Sequence, residues 1–202
     1  MSAKQLSAAC AELGVPIERS VISNLENKRR ATVSLAELIA LSRVLEVPPL
    51  LLAFPVGREQ ETEVLPSQTV PTWSAATWFS GEAGFPHDAG GPSEPMHGAR
   101  WENADPNFEQ GSVPLQLFRD HTLQLEQRSL NRMAAQSLSI AAETAATDAE
   151  RAAHVQTADS YEGRVRHFED AIRRTRSEMR KAGLVPPPLP PALGHLDGQA
   201  TS

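Results

Sequence analysis

The chain has little of what builds disulfides, thiolate metal sites or membrane spans. Cys10 is the only cysteine in 202 residues, which excludes an internal disulfide and a zinc site made of several cysteines. The longest apolar run, residues 44 to 54, is interrupted by one glutamate and two prolines, so it does not predict a membrane span. No segment near the N-terminus combines a cationic start with an apolar core, as a signal peptide does. We therefore expect a soluble, cytoplasmic protein without a membrane partner.

The total charge gives little indication of a partner, because its sign changes along the chain. The formal net charge is −6, yet residues 1 to 58 carry +2, residues 59 to 113 carry −8 and residues 114 to 183 carry +1. Only a local basic surface neutralises phosphates. The acidic total therefore does not exclude a nucleic-acid partner.

The sequence also lacks the common arrangements of catalytic and cofactor-binding residues. It has no nucleophile paired with a base, no carboxylate pair in a helical frame and no Gly-rich phosphate loop. His87, Asp88 and His97 could be imagined as metal ligands, but they lie in a Gly/Pro-rich stretch in which nothing fixes their geometry. We expect neither an enzyme nor a bound metal or other cofactor.

What the sequence does contain is a series of short helices at its N-terminus. Ser2 is placed as the N-cap of a first helix, and Gly14 is placed to end it. Residues 18 to 27 predict a second helix, and a capping box from Ser34 to Glu37 begins a third. The two adjacent prolines at positions 48 and 49 suit the start of a fourth helix. The inward stripe of the third helix is predicted to be Leu35, Leu38, Ile39, Ser42 and Leu45. Residues 1 to 57 therefore predict a small all-α domain.

The second of these helices divides into an apolar face and a polar face. Val21, Ile22 and Leu25 form the inward stripe, which turns the polar residues outward. The major groove of DNA admits one helix, and arginine, asparagine and serine can hydrogen-bond to base edges there. The residues predicted to read bases are Arg19, Ser20, Ser23 and Asn24. Those predicted to contact phosphates at the exit of the helix are Asn27, Lys28, Arg29 and Arg30.

Three successive segments resemble the phage-repressor-like helix-turn-helix regulators, often called the xenobiotic response element family. They read SAKQLSAACAELG, RSVISNLENKRR and SLAELIALSRVLEVPPLLL, and they cover about residues 2 to 55. The resemblance implies a five-helix, lambda-repressor-like bundle whose third helix enters the major groove, and it maps that helix onto residues 18 to 27. It also implies sequence-specific, DNA-binding transcription regulation, and the long C-terminal extension is similar to those of many actinobacterial members.

The start of the chain departs from that family. Its members begin with a helix before the one predicted here at residue 3, usually bearing a basic residue that pairs with a glutamate at the position of Glu26. We expect the true start codon to lie upstream; the alternative is a truncated domain with an exposed apolar groove. Two functions therefore stay open: a DNA-binding regulator, and a coiled-coil interaction or scaffold protein whose degenerate helix-turn-helix no longer binds DNA.

Residues 58 to 113 are predicted to form an acidic, flexible linker. From Gly81 to Gly98, the 18 residues include five glycines and three prolines, too many breakers of helices and strands for a packed core. Trp73, Trp78 and Phe79 also lie in this segment. Two interpretations of these aromatic residues stay open: they dock on the bundle, or they form a partner-binding motif in a flexible arm.

Residues 114 to 183 are rich in strong helix formers and predict a helical or coiled-coil segment. Its heptad-like seam consists of Val155, Ala158, Tyr161, Val165, Phe168, Ile172 and Met179. We expect a homodimer through residues 155 to 179; the alternative is an intramolecular hairpin, in which residues 115 to 147 fold back on residues 149 to 182. Residues 184 to 202 predict a proline-rich, disordered tail.

Overall fold

The computed structural model describes residues 1 to 86 and residues 106 to 197. They belong to two compact units, Met1–Ala104 and Asp105–Ser202. Most of the described residues are helical, as expected. The expectation of an all-α chain is wrong, because the first unit contains a two-stranded antiparallel sheet.

Four short helices open the first unit at the predicted places. They are α1 Ala3–Glu12, α2 Arg19–Glu26, α3 Leu35–Leu45 and α4 Pro49–Ala53. Ser2 caps α1 and Ser34 caps α3, each in a capping box with the residue three positions later. Gly14 follows α1 with φ 79°, a left-handed conformation that glycine adopts with little strain. The predicted start and end signals of these helices are therefore confirmed.

The core of the four helices is built mainly from aliphatic side chains and one cysteine: Leu6, Cys10, Ile17, Ile22 and Ala40. Cys10 is fully buried; it follows Leu6 by four positions, so the two lie on the same apolar side of α1. The predicted stripe of α3 is only partly correct, because Leu35 and Ile39 are 68% and 54% exposed. The inward face of α3 includes Ala40, and neighbouring helix positions are about 100° apart, so Ile39 turns toward solvent.

Residues 58 to 86 differ from the predicted flexible linker. They contain strand β1 Glu61–Leu65, strand β2 Gln68–Pro71 and helix α5 Thr72–Phe79. In β1 the half-buried Thr62 and Val64 alternate with exposed residues, among them Glu61 and Glu63. Two of the acidic residues that indicated a linker, Glu61 and Glu63, therefore lie on the solvent face of a strand with a period of two. The rest of the predicted linker, residues 87 to 105, lies outside the described residues.

The hairpin and α5 pack on the residue that follows α4. Phe54 is buried with Val70, Ala75 and Ala76, and the ring of Phe79 meets the Phe54 ring edge-on, with centroids 5.3 Å apart. Docking on the bundle is thus the correct interpretation for Phe79. Of the other two aromatic residues, Trp78 packs edge-on against Phe85, and Trp73 is exposed.

The second unit is an antiparallel hairpin of two long helices, α6 Pro106–Glu143 and α7 Asp148–Lys181. The side-chain pairs that cross it include Gln124 with Thr175 at 3.0 Å, Arg128 with Glu169 at 2.9 Å, and Arg132 with Glu162 at 2.6 Å. Residue numbers rise along α6 as they fall along α7, which defines the antiparallel register. α6 begins before the predicted position 114 and carries Pro114 within it.

Four of the seven residues of the seam predicted for a homodimer are buried in this hairpin. Ala158, Val165, Ile172 and Met179 are buried at intervals of seven residues, and α6 lies against α7 along the hairpin. The four residues between the helices make a short connection, which favours antiparallel neighbours within one chain. The intramolecular alternative is therefore the correct one, and residues 155 to 179 do not offer the expected surface to a second copy.

Residues 184 to 197 differ from the predicted disordered tail. A short 3-10 helix, Pro191–Leu196, follows the prolines. Leu193 and Leu196 are buried and pack with Ile172 of α7, and Leu125 of α6 packs against the same cluster. Two leucines at a spacing of three are enough to anchor a proline-rich segment when a hairpin offers an apolar surface. Residues 198 to 202 lie outside the described residues.

Candidate nucleic-acid interface

The turn between α1 and α2 is fixed by hydrogen bonds to α1. The amide of Val15 donates to the carbonyl of Cys10 over 3.1 Å, and the amide of Gly14 donates to that of Ala11 over 2.9 Å. The hydroxyl of Ser7 donates to the carbonyl oxygen of Ile17 over 2.6 Å. Since Ile17 is itself buried in the core, the chain enters α2 from a defined position and direction.

α2 has one face in the core and the opposite face in solvent. Ile22 is buried and Val21 packs against the same core. Of the predicted base-reading residues, Arg19, Ser20 and Asn24 are exposed, while Ser23 is half-buried. The structure therefore brings the four residues onto one helix of eight residues and leaves three of them fully accessible.

The exit of α2 is a tight turn in which the predicted phosphate contacts are not equivalent. The side-chain amide of Asn27 donates to the carbonyl oxygen of Ser23 over 2.7 Å, so part of its donor capacity is used by its own helix. Lys28 has φ 54°, in the left-handed region. The amides of Arg29 and Arg30 then both donate to the carbonyl oxygen of Asn24, over 2.8 and 3.1 Å.

Arg30 is engaged inside the unit, which differs from its predicted role as a free phosphate contact. Its guanidinium forms a two-pronged pair with the Glu37 carboxylate, with distances of 2.8 and 3.1 Å. Glu37 also accepts the backbone amide of Ser34 over 2.8 Å as the last residue of the α3 capping box. The hydrogen bond from Arg30 and then the amide of Ser34 lower the pKa of Glu37 to about 2. Arg30 therefore braces the loop between α2 and α3.

The remaining cations of this region stay outward. Arg19, Lys28 and Arg29 are exposed, and no ion pair within residues 1 to 86 or 106 to 197 includes them. Glu18 and Glu26 are also exposed at the two ends of α2 and offset part of this charge. The local surface is thus mildly positive, with three cations free to meet an anion.

The second unit contains a polar cluster that no pattern in the sequence indicates. Arg176 is only 2% exposed, and its guanidinium donates to Asp197 at 2.5 Å, to the carbonyl of Pro187 at 2.7 Å and to Nε2 of His121 at 3.1 Å. Arg180 also binds Asp197. These residues come from α6, α7 and the tail, so only long-range folding brings them together.

The ring of His121 in this cluster is held neutral. Burial lowers the pKa of His121 most, the positive charge of Arg176 lowers it further, and Asp197 acts in the opposite direction. Because Nε2 receives a hydrogen bond from Arg176, the ring proton lies on Nδ1. The cluster ties the tail to the hairpin and leaves no free donor set for a substrate; we assign it a structural role.

No metal site or membrane span appears in the part of the chain that the structure describes. Within it, no three His, Cys, Asp or Glu side chains are grouped so as to hold a metal ion, and His87, Asp88 and His97 lie outside it. No helix there is long and apolar enough to cross a membrane. No family model, no curated protein and no solved structure matches this chain. Its function therefore has to be inferred from its own residues and contacts.

Proposed function

We propose that the chain is a sequence-specific, DNA-binding transcriptional regulator with a lambda-repressor-like helix-turn-helix domain in residues 1 to 57. The observation that carries the proposal is the division of α2, in which Ile22 is buried while Arg19 and Asn24 of the same helix are exposed. A helix of eight residues is about 12 Å long, close to the width of the major groove, about 12 Å. Such a regulator works in the cytoplasm, at the nucleoid when bound to DNA.

The exposed residues of α2 have the chemistry for reading bases. Arginine can donate two hydrogen bonds to guanine, asparagine can pair with adenine through two bonds, and serine can address either base. Arg19 and Ser20 lie at the N-terminal end of α2, and this is the end of a recognition helix that approaches base edges. Ser23 is half-buried and so contributes less than Asn24.

The cations that follow α2 suit the phosphate backbone. Lys28 and Arg29 are exposed and form no ion pair among the described residues, so a phosphate can take their hydrogen bonds without breaking an internal pair. Such contacts raise affinity for any sequence and fix the register of the helix. Arg30 supports them indirectly, by holding the loop through Glu37.

The test is a selection of preferred duplexes by the full chain, followed by single substitutions. Arg19→Ala and Asn24→Ala are each expected to reduce discrimination at one base position by about 1 to 3 kcal/mol. Arg58→Ala removes an exposed arginine outside α2 and is the matched control, with sequence preference unchanged. Enrichment of no sequence from random duplexes would rule out base reading.

A second candidate is a scaffold protein whose helix-turn-helix no longer binds DNA. The observation that favours it is the apolar surface of the first unit, where Leu35, Ile39, Leu51 and Leu52 are all exposed. Exposed apolar residues in one unit are a feature of protein-binding surfaces. The two candidates separate in a binding assay at about 50 mM salt, where a DNA-binding protein retains even unselected duplexes. A scaffold retains none.

A further inference from the structure

The two helices of the second unit differ strongly in charge. α7 carries 15 charged residues in 34, whereas α6 carries seven in 38. From residue 122 to residue 142 the only charged side chains are Glu126, Arg128 and Arg132, and both arginines are bound to glutamates of α7. Residues 133 to 142 contain no charge at all. A helix in contact with water on one side normally carries its charges there.

The side of α6 turned away from α7 carries large apolar residues instead. They are Leu123, Leu130, Met133 and Ile140, which are 54%, 58%, 61% and 62% exposed. Their spacing of seven, three and seven residues places them in one stripe, the pattern of the contact positions of a coiled coil. The positions on either side of the stripe are uncharged: Thr122, Gln127, Ser129, Ala134, Gln136 and Ala141. Depletion of charge around exposed Leu, Ile and Met is the composition of an interface centre.

We propose that this stripe is a homodimer interface, in which α6 packs antiparallel against α6 of a second copy. The spacing seven, three, seven reads the same in both directions. A two-fold axis midway between Asn131 and Arg132 therefore places Leu123 opposite Ile140 of the partner subunit, and Leu130 opposite Met133 of the partner subunit. A two-fold contact requires one patch to match itself, and this stripe does so at its four apolar positions.

Charge also favours a second copy over another partner. In a homodimer, any charge at the contact meets charges from the same stripe. Here the only charged residue at a contact position of the stripe is Glu126, and the two-fold axis puts it opposite Ser137 of the partner subunit, so no like charges meet. A partner bound through ion pairs would need charges in the flanking positions, and these have none.

The contact has the size of a modest, reversible interface. Residues 122 to 142 of α6 span about 30 Å, and two hairpins joined along this length form a four-helix bundle. A contact of two helices lies toward the small end of specific interfaces, so the dimer dissociates on dilution. The interface belongs to the second unit alone and does not depend on DNA binding by the first.

The experiment is sedimentation of the full chain over a range of concentrations, with two variants and a control. Leu130→Glu and Met133→Glu each place a carboxylate in the stripe and are expected to weaken the dimer at least tenfold. Val155→Glu makes the same kind of change at an exposed position of α7 and leaves the dimer unchanged. Circular dichroism checks that each variant stays helical, as expected for exposed positions. A wild-type monomer at all concentrations, or a dimer that both stripe variants leave intact, would overturn the proposal.

Charges placed at Ser137 test the antiparallel register. Ser137 is exposed and faces Glu126 of the partner subunit, so Ser137→Lys is expected to strengthen the dimer and Ser137→Glu to weaken it. A parallel pair would set residue 137 against its own copy, and both changes would weaken it. That result, or two variants that sediment like the wild type, would refute the antiparallel contact.

Discussion

Three exposed cations of the first unit and two paired arginines of the second unit are used in opposite ways. In the first unit Arg19, Lys28 and Arg29 point outward and form no ion pair among the described residues. In the second unit Arg128 and Arg176 each bind a carboxylate on another element. Outward cations suit a polyanion such as DNA. Cations used internally leave the outer side of α6 uncharged, which suits an apolar partner.

The difference follows from the lengths of the elements. α2 has eight residues, and its cations lie at its ends or in the turn beyond it, where no helix runs alongside. The helices of the hairpin run side by side for more than thirty residues. A long side chain on either helix therefore has a neighbouring helix within reach. The long paired helices therefore bring Arg128 and Arg132 within reach of carboxylates. Arg19, Lys28 and Arg29 form no ion pair among the described residues.

The largest effect is expected from removing the buried guanidinium of Arg176, which is paired within the second unit. Arg176→Met keeps the apolar stem but removes the hydrogen bonds to His121, Asp197 and the carbonyl of Pro187. Breaking a fully buried pair costs about 3 to 5 kcal/mol; Asp197 is half exposed, so we expect about 2 to 3 kcal/mol. Urea unfolding measures the change.

Arg173→Met is the matched control for that loss. Arg173 is an exposed arginine on the same helix, paired with Asp170 three residues earlier, and exposed pairs contribute only about 0 to 1 kcal/mol. Equal losses of unfolding free energy in the two variants would show that burial of Arg176 does not anchor the tail.

The two units are also expected to respond to acid at different pH. The pKa of His121 is lowered from its usual 6.5, so its contribution to stability is complete above about pH 6.5 and is lost as the pH falls through the lowered value. The pKa of Glu37 is about 2 instead of 4.5. The Arg30–Glu37 pair therefore keeps its contribution to the stability of the first unit above about pH 4.5 and loses it toward pH 2. Urea unfolding at a series of pH values measures both.

A single substitution tests whether His121 causes the acid response of the second unit. His121→Gln removes the titrating ring and should flatten the stability profile of the second unit below about pH 6.5. His167→Gln changes an exposed histidine of α7 and should leave the profile unchanged. A profile that keeps its slope in His121→Gln would contradict the role of this ring.

A smaller effect should separate the two neighbouring arginines of the first unit. Arg30→Ala removes the pair with Glu37 and is expected to lower the unfolding free energy by about 0.5 to 1 kcal/mol. Arg29→Ala is expected to leave stability unchanged, to weaken all duplexes equally and to lower the slope of affinity against salt by about one unit. Salt-dependent duplex binding and urea unfolding measure the two quantities. Identical behaviour of both variants would mean that the pair with Glu37 does not distinguish them.

An effect of similar size concerns the turn that presents the outward cations. Lys28 has φ 54°, which is strained for a residue with a side chain and unstrained for glycine. Lys28→Gly is expected to be about 0.5 to 1 kcal/mol more stable than Lys28→Ala, since both remove the cation and only one relieves the strain. Thermal unfolding of the two variants gives the difference, and a more stable alanine variant would contradict this geometry.

Much of the first unit could be predicted because its signals are local. The capping boxes that begin at Ser2 and Ser34, the left-handed Gly14 and the buried Cys10 all appear where the sequence indicates them. The β-hairpin was missed because the acidic composition of residues 59 to 113 indicated a linker more strongly than the alternation in β1 indicated a strand. Glutamates two positions apart occur in charged linkers as well as in strands. The exposure of Ile39 was missed because the apolar stripe of α3 does not specify which of its sides meets α1.

The sequence by itself determined where the first four helices lie, and which residues of α2 and α7 lie on an apolar face. Those properties depend on residues within about four positions of one another. Only the tertiary structure decided what each face meets: α6 instead of a second copy for residues 155 to 179, Glu37 for Arg30, and Asp197 of the tail for Arg176. Helical periodicity defines which residues share a face, but it does not define what that face contacts. The contact depends on packing and ion pairing between residues that are far apart in the chain.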